Sequence, residues 1–379
     1  MRASRIPLSE IALLNEGSVL KRTDQLTPIA TQNLGMNGLL WKGFLNTQEI
    51  IRDVLGKEFS EVYLPTPIEV AGGPYSRESA PSEEEIAVKF ILETGTKDLP
   101  KSFFYFKKNL LEDAPYGVSI STNVSHQLIV YSFSETAEDM YNQGEIMRNL
   151  FNKIFNRIGL SEEIFVSRGR FEELSNESIM FLYPNGEEHL LHYPSKWVDK
   201  NDLLYSLEKT DFPRGFDSFE EHTALQVGEF IFWGHVKTRN KRFHFTTSQA
   251  PFYVGKYIID LSRAMDVIIH QNTGDSGFVW PYEIAPYKLH MICTPKRKLK
   301  AERIYEELHE KGISVIYDDR DIPFDEQFMF ARFLGIPKII IISEETGRTD
   351  ARISEVDRAT WSEGITDFYE ILKTPNRYK

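Results

Sequence analysis

Between residues 288 and 343 the hydrophobic period switches back and forth, and that alternation limits the fold more than any other feature of the chain. "KLHMIC", "ISVIYDD" and "KIIIIS" are apolar runs of strand length. Between them, "KAERIYEELHEKG" and "DEQFMFARFLG" repeat apolar residues at helical spacing and stop at glycine. Strand–helix–strand–helix–strand order predicts a parallel sheet, because parallel neighbours need a crossover and a helix supplies it. "WSEGITDFYEIL", 361–372, is expected to close the segment with a last helix.

The preceding part of the chain has a different grammar. "FLNTQEIIRDVLGK", 45–58, places apolar residues at helical spacing, and "FSEVYLPTPIEV" then predicts a strand. "AEDMYNQGEIMRNLFNKIFNRIGL", 137–160, is the clearest amphipathic helix and stops at Gly159. "SIMFLYP", "ALQVGEFIFWGHV" and "KRFHFTT" are strand-like runs bounded by turn residues, which suggests antiparallel pairing. "YVGKYIIDLSRAMDVIIHQ", 253–271, reads as a strand feeding a buried helix.

A chain of 379 residues exceeds what one core supports, roughly 250–300 residues, so two domains are expected. The fold class read from these patterns is an α+β body over 1–280, an antiparallel sheet with flanking helices, followed by a small α/β domain over 281–379. "GFVWPYEIAPYKLHMI", 277–292, lies at the joint, and its Trp280-Pro281-Tyr282, Pro286 and Tyr287 suit rigid packing between two bodies.

Charge and composition narrow the function classes. The net charge is −12, the wrong sign for generic binding to a phosphate backbone. Residues 281–379 hold 16 Lys and Arg against 18 Asp and Glu, so −2 falls there and −10 on 1–280. The tail opens with the basic run "TPKRKLKAER", so nucleic acid would meet a local surface rather than bulk charge. No run of about 18 apolar residues exists, so no membrane partner is expected. "MRASRIPLSEIALLNEG" lacks a long enough h-region for a secretory signal, and cytoplasm is the expectation. The single cysteine, Cys293, excludes an internal disulfide and argues against a thiolate metal site. The nine histidines show no HExxH-like spacing, so His126, His222, His235 and His244 stay unassigned and no metal ligands are expected. Neither a P-loop, a Rossmann glycine fingerprint nor a nucleophile elbow is present.

"DSGFVWPYEIAPYKLHMI", followed in order by "GISVIYDDRD" and "ARFLGIPKIIII", resembles the anticodon-binding end of class II aminoacyl-tRNA synthetases, the prolyl enzymes most of all. Working back, "NGLLWKGFLNTQEIIRDVLGKEFSEVYLPTPIEV" is similar to their first motif, which implies a homodimer through the region around Pro65. "SAPSEEEIA" resembles the proline-recognition loop and "KDLPKSFFYF" the strand entering the second motif. "ALQVGEFIFWG" and "YVGKYIIDLSR" look like the strand before the third motif and the motif itself. The short interval between the second and third motifs implies that the large bacterial editing insertion is absent. A zinc-bearing C-terminal extension is not expected either.

Carried over residue by residue, the resemblance implies sites and exposes departures. Aligning "FKKNLLEDAPYGV" on its proline puts Leu110 at the second-motif arginine and Glu112 at the glutamate. Lys107 and Lys108 would replace that arginine only if the strand slipped, and a one-residue slip reverses the faces. The third-motif arginine persists as Arg263, while Ile258 and Asp260 replace glycines that allow close backbone approach. Arg263, Glu112, Lys107 and Lys108 are therefore the candidates to hold ATP, with Mg²⁺. Pro81 stands where the proline loop has threonine, leaving Ser82 and Glu83, with Gln226 and Glu229 at "QVGEF", as candidate substrate contacts. In the tail, Lys296, Arg297, Lys298, Asp319, Arg320 and Gln327 are the candidate RNA contacts, although Asp325 and Gln327 stand where the family has glycine and lysine.

Plainer roles stand beside these. Arg263 could pair with a carboxylate, Ser82–Glu85 could be a helix cap with an acidic first turn, and Asp318-Asp319-Arg320 a structural turn. The functional expectation is a prolyl-tRNA-synthetase-like paralogue with a degenerate activation site, acting as a tRNA- or RNA-binding, regulatory or accessory subunit. The alternatives are an ATP-dependent ligase that adenylates an amino acid for tRNA or another carrier, and a module that docks protein partners.

Overall fold

The computed structural model describes residues 38–65, 81–94, 99–110, 124–168, 176–184, 186–193, 196–199, 220–235, 252–274, 277–344, 352–360 and 362–373. The body begins with α1 (Gly38–Leu55), β1 (Ser60–Glu61), α2 (Glu83–Thr94), β2 (Lys101–Leu110), β3 (Val124–Ser134) and α3 (Ala137–Ile158). It continues through β4 (Ile164–Arg168), β5 (Asn176–Leu182), β6 (Glu188–Tyr193), β7 (Lys196–Asp199), β8 (Glu220–His235), β9 (Tyr253–Asp260) and α4 (Leu261–Gln271). A short hairpin, β10 (Thr273–Gly274) and β11 (Gly277–Phe278), leads out of it. The tail is β12 (Leu289–Cys293), α5 (Lys298–Glu310), β13 (Val315–Tyr317), α6 (Phe324–Leu334), β14 (Lys338–Ile342), β15 (Arg352–Asp357), β16 (Ser362–Asp367) and α7 (Phe368–Lys373).

The body sheet runs β1-β2-β3-β9-β8-β5-β4, with β6 also on β8 and β7 on β6. All of its pairs are antiparallel except β1 with β2. Helices α1, α3 and α4 bury their apolar stripes on one face, where Phe44, Phe151, Phe155, Phe230, Tyr257 and Ile268 are at most 1% exposed. The α3 stripe exists because Met140, Gly144, Met147, Leu150, Ile154 and Ile158 recur at three- and four-residue spacing. Thr136 caps its start by accepting from the Asp139 amide at 3.1 Å. Gly159 ends it at φ 85°, a left-handed conformation that favours glycine. Helix α2 covers the opposite face at one end, against Phe103, Tyr105, Ile129, Tyr131 and Phe133.

The tail holds its own core around Leu289, Met291, Ile304, Leu308 and Ile340. Strand β12 lies between β13 and β14, parallel to both, as the alternating period requires. The expected single helix over 361–372 is corrected: Ser362–Asp367 is strand β16, and only Phe368–Lys373 is helical. The physical reason is non-local. β15 pairs antiparallel with β14 and offers its other edge to β16, with Arg352 opposite Asp367. Helix α1 starts earlier than its apolar repeat suggested, and a turn follows it over 56–58. The strand expected over 241–247 and the distal part of the one expected after residue 65 lie outside the described residues.

The joint at 277–292 is tied to both bodies. Trp280 donates its backbone N–H to Gly335 O at 2.9 Å and its indole N–H to Leu334 O at 3.2 Å, both at the end of α6. On the body side a Cβ on Gly43 would sit 2.6 Å from the Trp280 ring, and Asn46 donates to Ala285 O at 2.8 Å. Pro281 packs so closely on Gly159 that a Cβ there would be 2.3 Å from its ring. The Lys42 ammonium lies 3.6 Å from the Tyr287 ring centroid, and burial pushes its pKa down to about 8.

Candidate functional site

The register of β2, β3, β9 and β8 decides which candidate side chains share a face. Lys107, Gln127 and Asp260 stand in one row across three strands, and Tyr105, Ile129, Ile258 and Glu229 in the next across four. Directly opposed residues point the same way, so Lys107, Tyr105, Ile258, Asp260 and Glu229 belong to the face that α2 partly covers. Lys108 points the other way, toward α1, where its ammonium is 5.9 Å from the Trp41 ring. The two lysines therefore leave opposite faces of β2, although both border the cavity beside β1 and α2.

At the N-terminus of α2 the chain builds a dense ionic cluster. Glu83 accepts from Tyr105 Oη at 2.5 Å and from Lys107 Nζ, and Lys256 Nζ is 3.6 Å away. Lys256 also donates to Glu84 at 3.0 Å. Burial and the Glu83 charge push the Tyr105 hydroxyl pKa up, so it stays a donor. Burial opposes ionisation of Glu84, but Lys256, the helix-start amide and Ser82 together hold the carboxyl below its ordinary value. Two carboxylates and two ammonium groups balance here, beside the positive end of a helix. A cavity of about 220 Å³ opens next to the cluster, lined by Tyr63, Pro65, Glu83, Tyr105, Lys107 and Lys108.

Ser82 is fixed by a capping box. Its hydroxyl accepts from the Glu85 amide at 3.1 Å while Glu85 accepts from the Ser82 amide at 2.7 Å. Of the substrate contacts expected in this loop, Glu83 alone turns toward the cavity. Lys256 was missed in the sequence, although a lysine amid the apolar alternation of "YVGKYIID" was the available signal.

Arg263 and Asp260 are both hydrogen-bonded around the start of α4. Asp260 caps α4, accepting from the Ser262 and Arg263 amides at 3.0 and 3.1 Å and from the Ser125 hydroxyl at 2.7 Å. The Arg263 guanidinium pairs with Glu187 and donates to Gln226 O at 3.2 Å. Gln226 itself turns back toward Gly228 O, at 3.4 Å. Ile258 places a half-buried branched side chain between Glu229 and Ile129. The cations described on this face, Lys107, Lys256 and Arg263, each meet a carboxylate, and Ile258 carries a side chain where the resemblance has glycine. Glu112 lies outside the described residues.

In the tail, the expected RNA contacts divide. Lys296 and Lys298 are exposed and Arg297 is half-buried at the start of α5. Arg320 instead forks onto the buried Asp318, Nε at 2.9 Å and Nη2 at 2.7 Å, with its guanidinium 4.1 Å from the Phe330 centroid. Gln327 is buried on α6. At 4% exposure it accepts from the Cys293 amide at 3.3 Å and donates to Ile322 O at 3.4 Å, so it ties α6 to β12. Asp319 is half-buried, and its carbonyl faces Lys298 Nζ at 3.5 Å.

Comparison with known proteins agrees with this architecture. Residues 289–373 match the family model described as an anticodon binding domain. A proline–tRNA ligase from Persephonella marina is 32% identical over 177 residues, 43% of this chain and 31% of that protein. One from Wolbachia sp. is 24% identical over 304 residues, 74% of this chain and 70% of its own. The first several such relatives are matched over only about a third or less of their own length. In fold, the chain is similar to Cryptosporidium parvum prolyl-tRNA synthetase complexed with halofuginone and AMPPNP, with TM-score 0.64 and 14% identity over 93% of this chain and 73% of that one. It is equally similar to Giardia lamblia prolyl-tRNA synthetase in complex with prolyl-adenylate, with TM-score 0.65 and 13% identity over 96% and 75%.

An antiparallel sheet flanked by helices and followed by an anticodon-binding domain makes this a protein of the class II synthetase fold. Within that class its sequence is similar to proline–tRNA ligases, at 32% identity over 43% of the chain and at 24% over 74%.

Proposed function

We propose that this chain is a prolyl-tRNA-synthetase-like paralogue whose activation site has been rebuilt for structure, and that it serves as a tRNA- or RNA-binding regulatory or accessory subunit. The observation behind this reading is the charge pairing on the sheet face. Lys107, Lys256 and Arg263 each sit against a carboxylate, Glu83, Glu84 and Glu187 respectively. Amino-acid activation stabilises charge developing on phosphate with preorganised cations, and cations committed to carboxylates must first be released. The exposed Lys296 and Lys298 with Arg297 give the tail a local basic surface on an acidic protein. Dimerisation through the Pro65 region is part of the proposal, since Tyr63 beside it is 77% exposed.

The deciding experiment is ATP–pyrophosphate exchange with proline and with each other amino acid, run beside tRNA binding by the same preparation. The reading expects no exchange and salt-sensitive tRNA binding. Proline-dependent exchange overturns it.

A second reading, an ATP-dependent ligase with a changed amino-acid substrate, is supported by the cavity beside Glu83. A carboxylate at the rim of a pocket that size suits an ammonium group. Exchange driven by an amino acid other than proline would select this reading.

A further inference from the structure

Away from the sheet face just described, β6 and β8 bring three metal-ligand side chains together. His192 stands directly opposite Glu220 in the antiparallel register, and His222 follows two residues along β8 on the same face. One donor atom from each lies within 4.8 Å of the other two. His222 Nε2 and Glu220 Oε2 are 3.5 Å apart. Zinc–ligand bonds of about 2.0–2.2 Å at tetrahedral angles separate neighbouring nitrogen and oxygen ligands by roughly 3.4 Å, so this pair already has chelating spacing. The two imidazole rings meet at a centroid distance of 6.4 Å and an interplanar angle of 68°.

The surroundings favour a fixed site over a chance surface pair. The same strand face continues into Leu190 and Ala224, both 0% exposed, and they join Met180, Ile164 and Val166 in a small apolar core. The donors thus stand at the edge of a dry floor, on two hydrogen-bonded strands whose register holds their spacing. His192 and His222 are half-buried and Glu220 is exposed, so an ion reaches them from solvent. A His–carboxylate ion pair needs one imidazole, whereas this arrangement converges two. The sequence hid the constellation because 27 residues separate His192 from Glu220, and only the β6–β8 pairing joins them.

We propose that His192, Glu220 and His222 form a site for a first-row transition-metal cation of the zinc class. Two nitrogens and one oxygen suit Zn²⁺ and its neighbours better than Mg²⁺ or Ca²⁺, which take oxygen ligands. Three protein ligands leave one tetrahedral position open to water or an external donor. The bound ion would also pin the β6–β7 hairpin to β8. This inference is independent of whether amino-acid activation survives.

The test uses the full chain, free of any histidine tag and stripped by chelator, titrated with ZnCl₂ against a chromophoric competitor and separately with Co²⁺. The expected result is one equivalent of zinc, a rise in thermal midpoint, and the visible absorption of four-coordinate cobalt. His192→Ala and His222→Ala should each weaken zinc binding by at least ~10-fold, and the double variant should abolish the cobalt bands. Glu220→Gln alters an exposed side chain and should change the cobalt spectrum without moving the metal-free midpoint. Failure of the wild-type chain to take up zinc at micromolar concentration overturns the site. So does binding that persists unchanged in the Glu220→Gln and double variants.

Discussion

Glu83 is the hub of the ionic cluster at the start of α2. Its side chain is 15% exposed and accepts from Tyr105 and Lys107, with Lys256 close by. Replacing it by glutamine leaves a largely enclosed Lys107 without its counter-charge. We expect Glu83→Gln to cost about 1–3 kcal/mol in urea unfolding, the range for a broken charged hydrogen bond. Ser82→Ala removes one half of the capping box and should cost about 1 kcal/mol, read by the same unfolding midpoint. If Ser82 instead contacted a substrate, the variant would keep its stability and lose ligand-induced thermal stabilisation. Legibility at this scale was uneven. The cap was visible as S-x-x-E in "SEEE", but the fates of Arg263 and Gln327 depended on Glu187 and Cys293, which the sequence does not place beside them.

Elements explain why the joint is rigid. Trp280 is 4% exposed, lies against Gly43 of α1, and hydrogen-bonds to Leu334 and Gly335 at the end of α6. Trp280→Ala should lower stability by about 3–5 kcal/mol, and calorimetry should resolve separate body and tail transitions. A single unchanged transition would show that Trp280 is not what couples them. Strand β12 carries a second element-scale device. His290, its second residue, is fully buried, and neither ring nitrogen finds a partner among the described residues. Burial pushes its pKa down to about 4, with Asp318 opposing and Arg320 and Arg358 assisting. A folded pKa below the unfolded value means the unfolded chain binds the proton first. Stability is therefore complete above about pH 6.5 and falls as pH drops toward 4, by on the order of 3 kcal/mol. Urea midpoints between neutral pH and about pH 4.5 should show this slope, and His290→Leu should flatten it.

At the scale of the whole molecule, an acidic chain presents a basic corner on an anticodon-binding domain. Reversing Lys296, Arg297 and Lys298 to glutamate should weaken tRNA binding across sequences. For every phosphate left without its cation, the salt dependence should flatten by about one unit of slope. Gln327→Ala should lower tail stability without a selective effect on RNA, because its side chain faces β12. Weaker RNA binding by Gln327→Ala at full stability would restore it as an RNA-reading residue.

The sequence alone determined the layout: an antiparallel body with flanking helices, a tail whose first three strands are parallel, and a stiff aromatic joint. Those features rest on periodicity and on glycine and proline punctuation, which are local and survive in one dimension. Tertiary structure alone decided the strand β16, the separation of Lys107 from Lys108 onto opposite faces, the Lys256–Glu84 pair and the His192–Glu220–His222 cluster. Each of these follows from pairing between segments far apart in the chain. An edge strand forms because a neighbour offers hydrogen bonds, and a charge is neutralised because a distant carboxylate arrives beside it. No residue carries that information until the register is set.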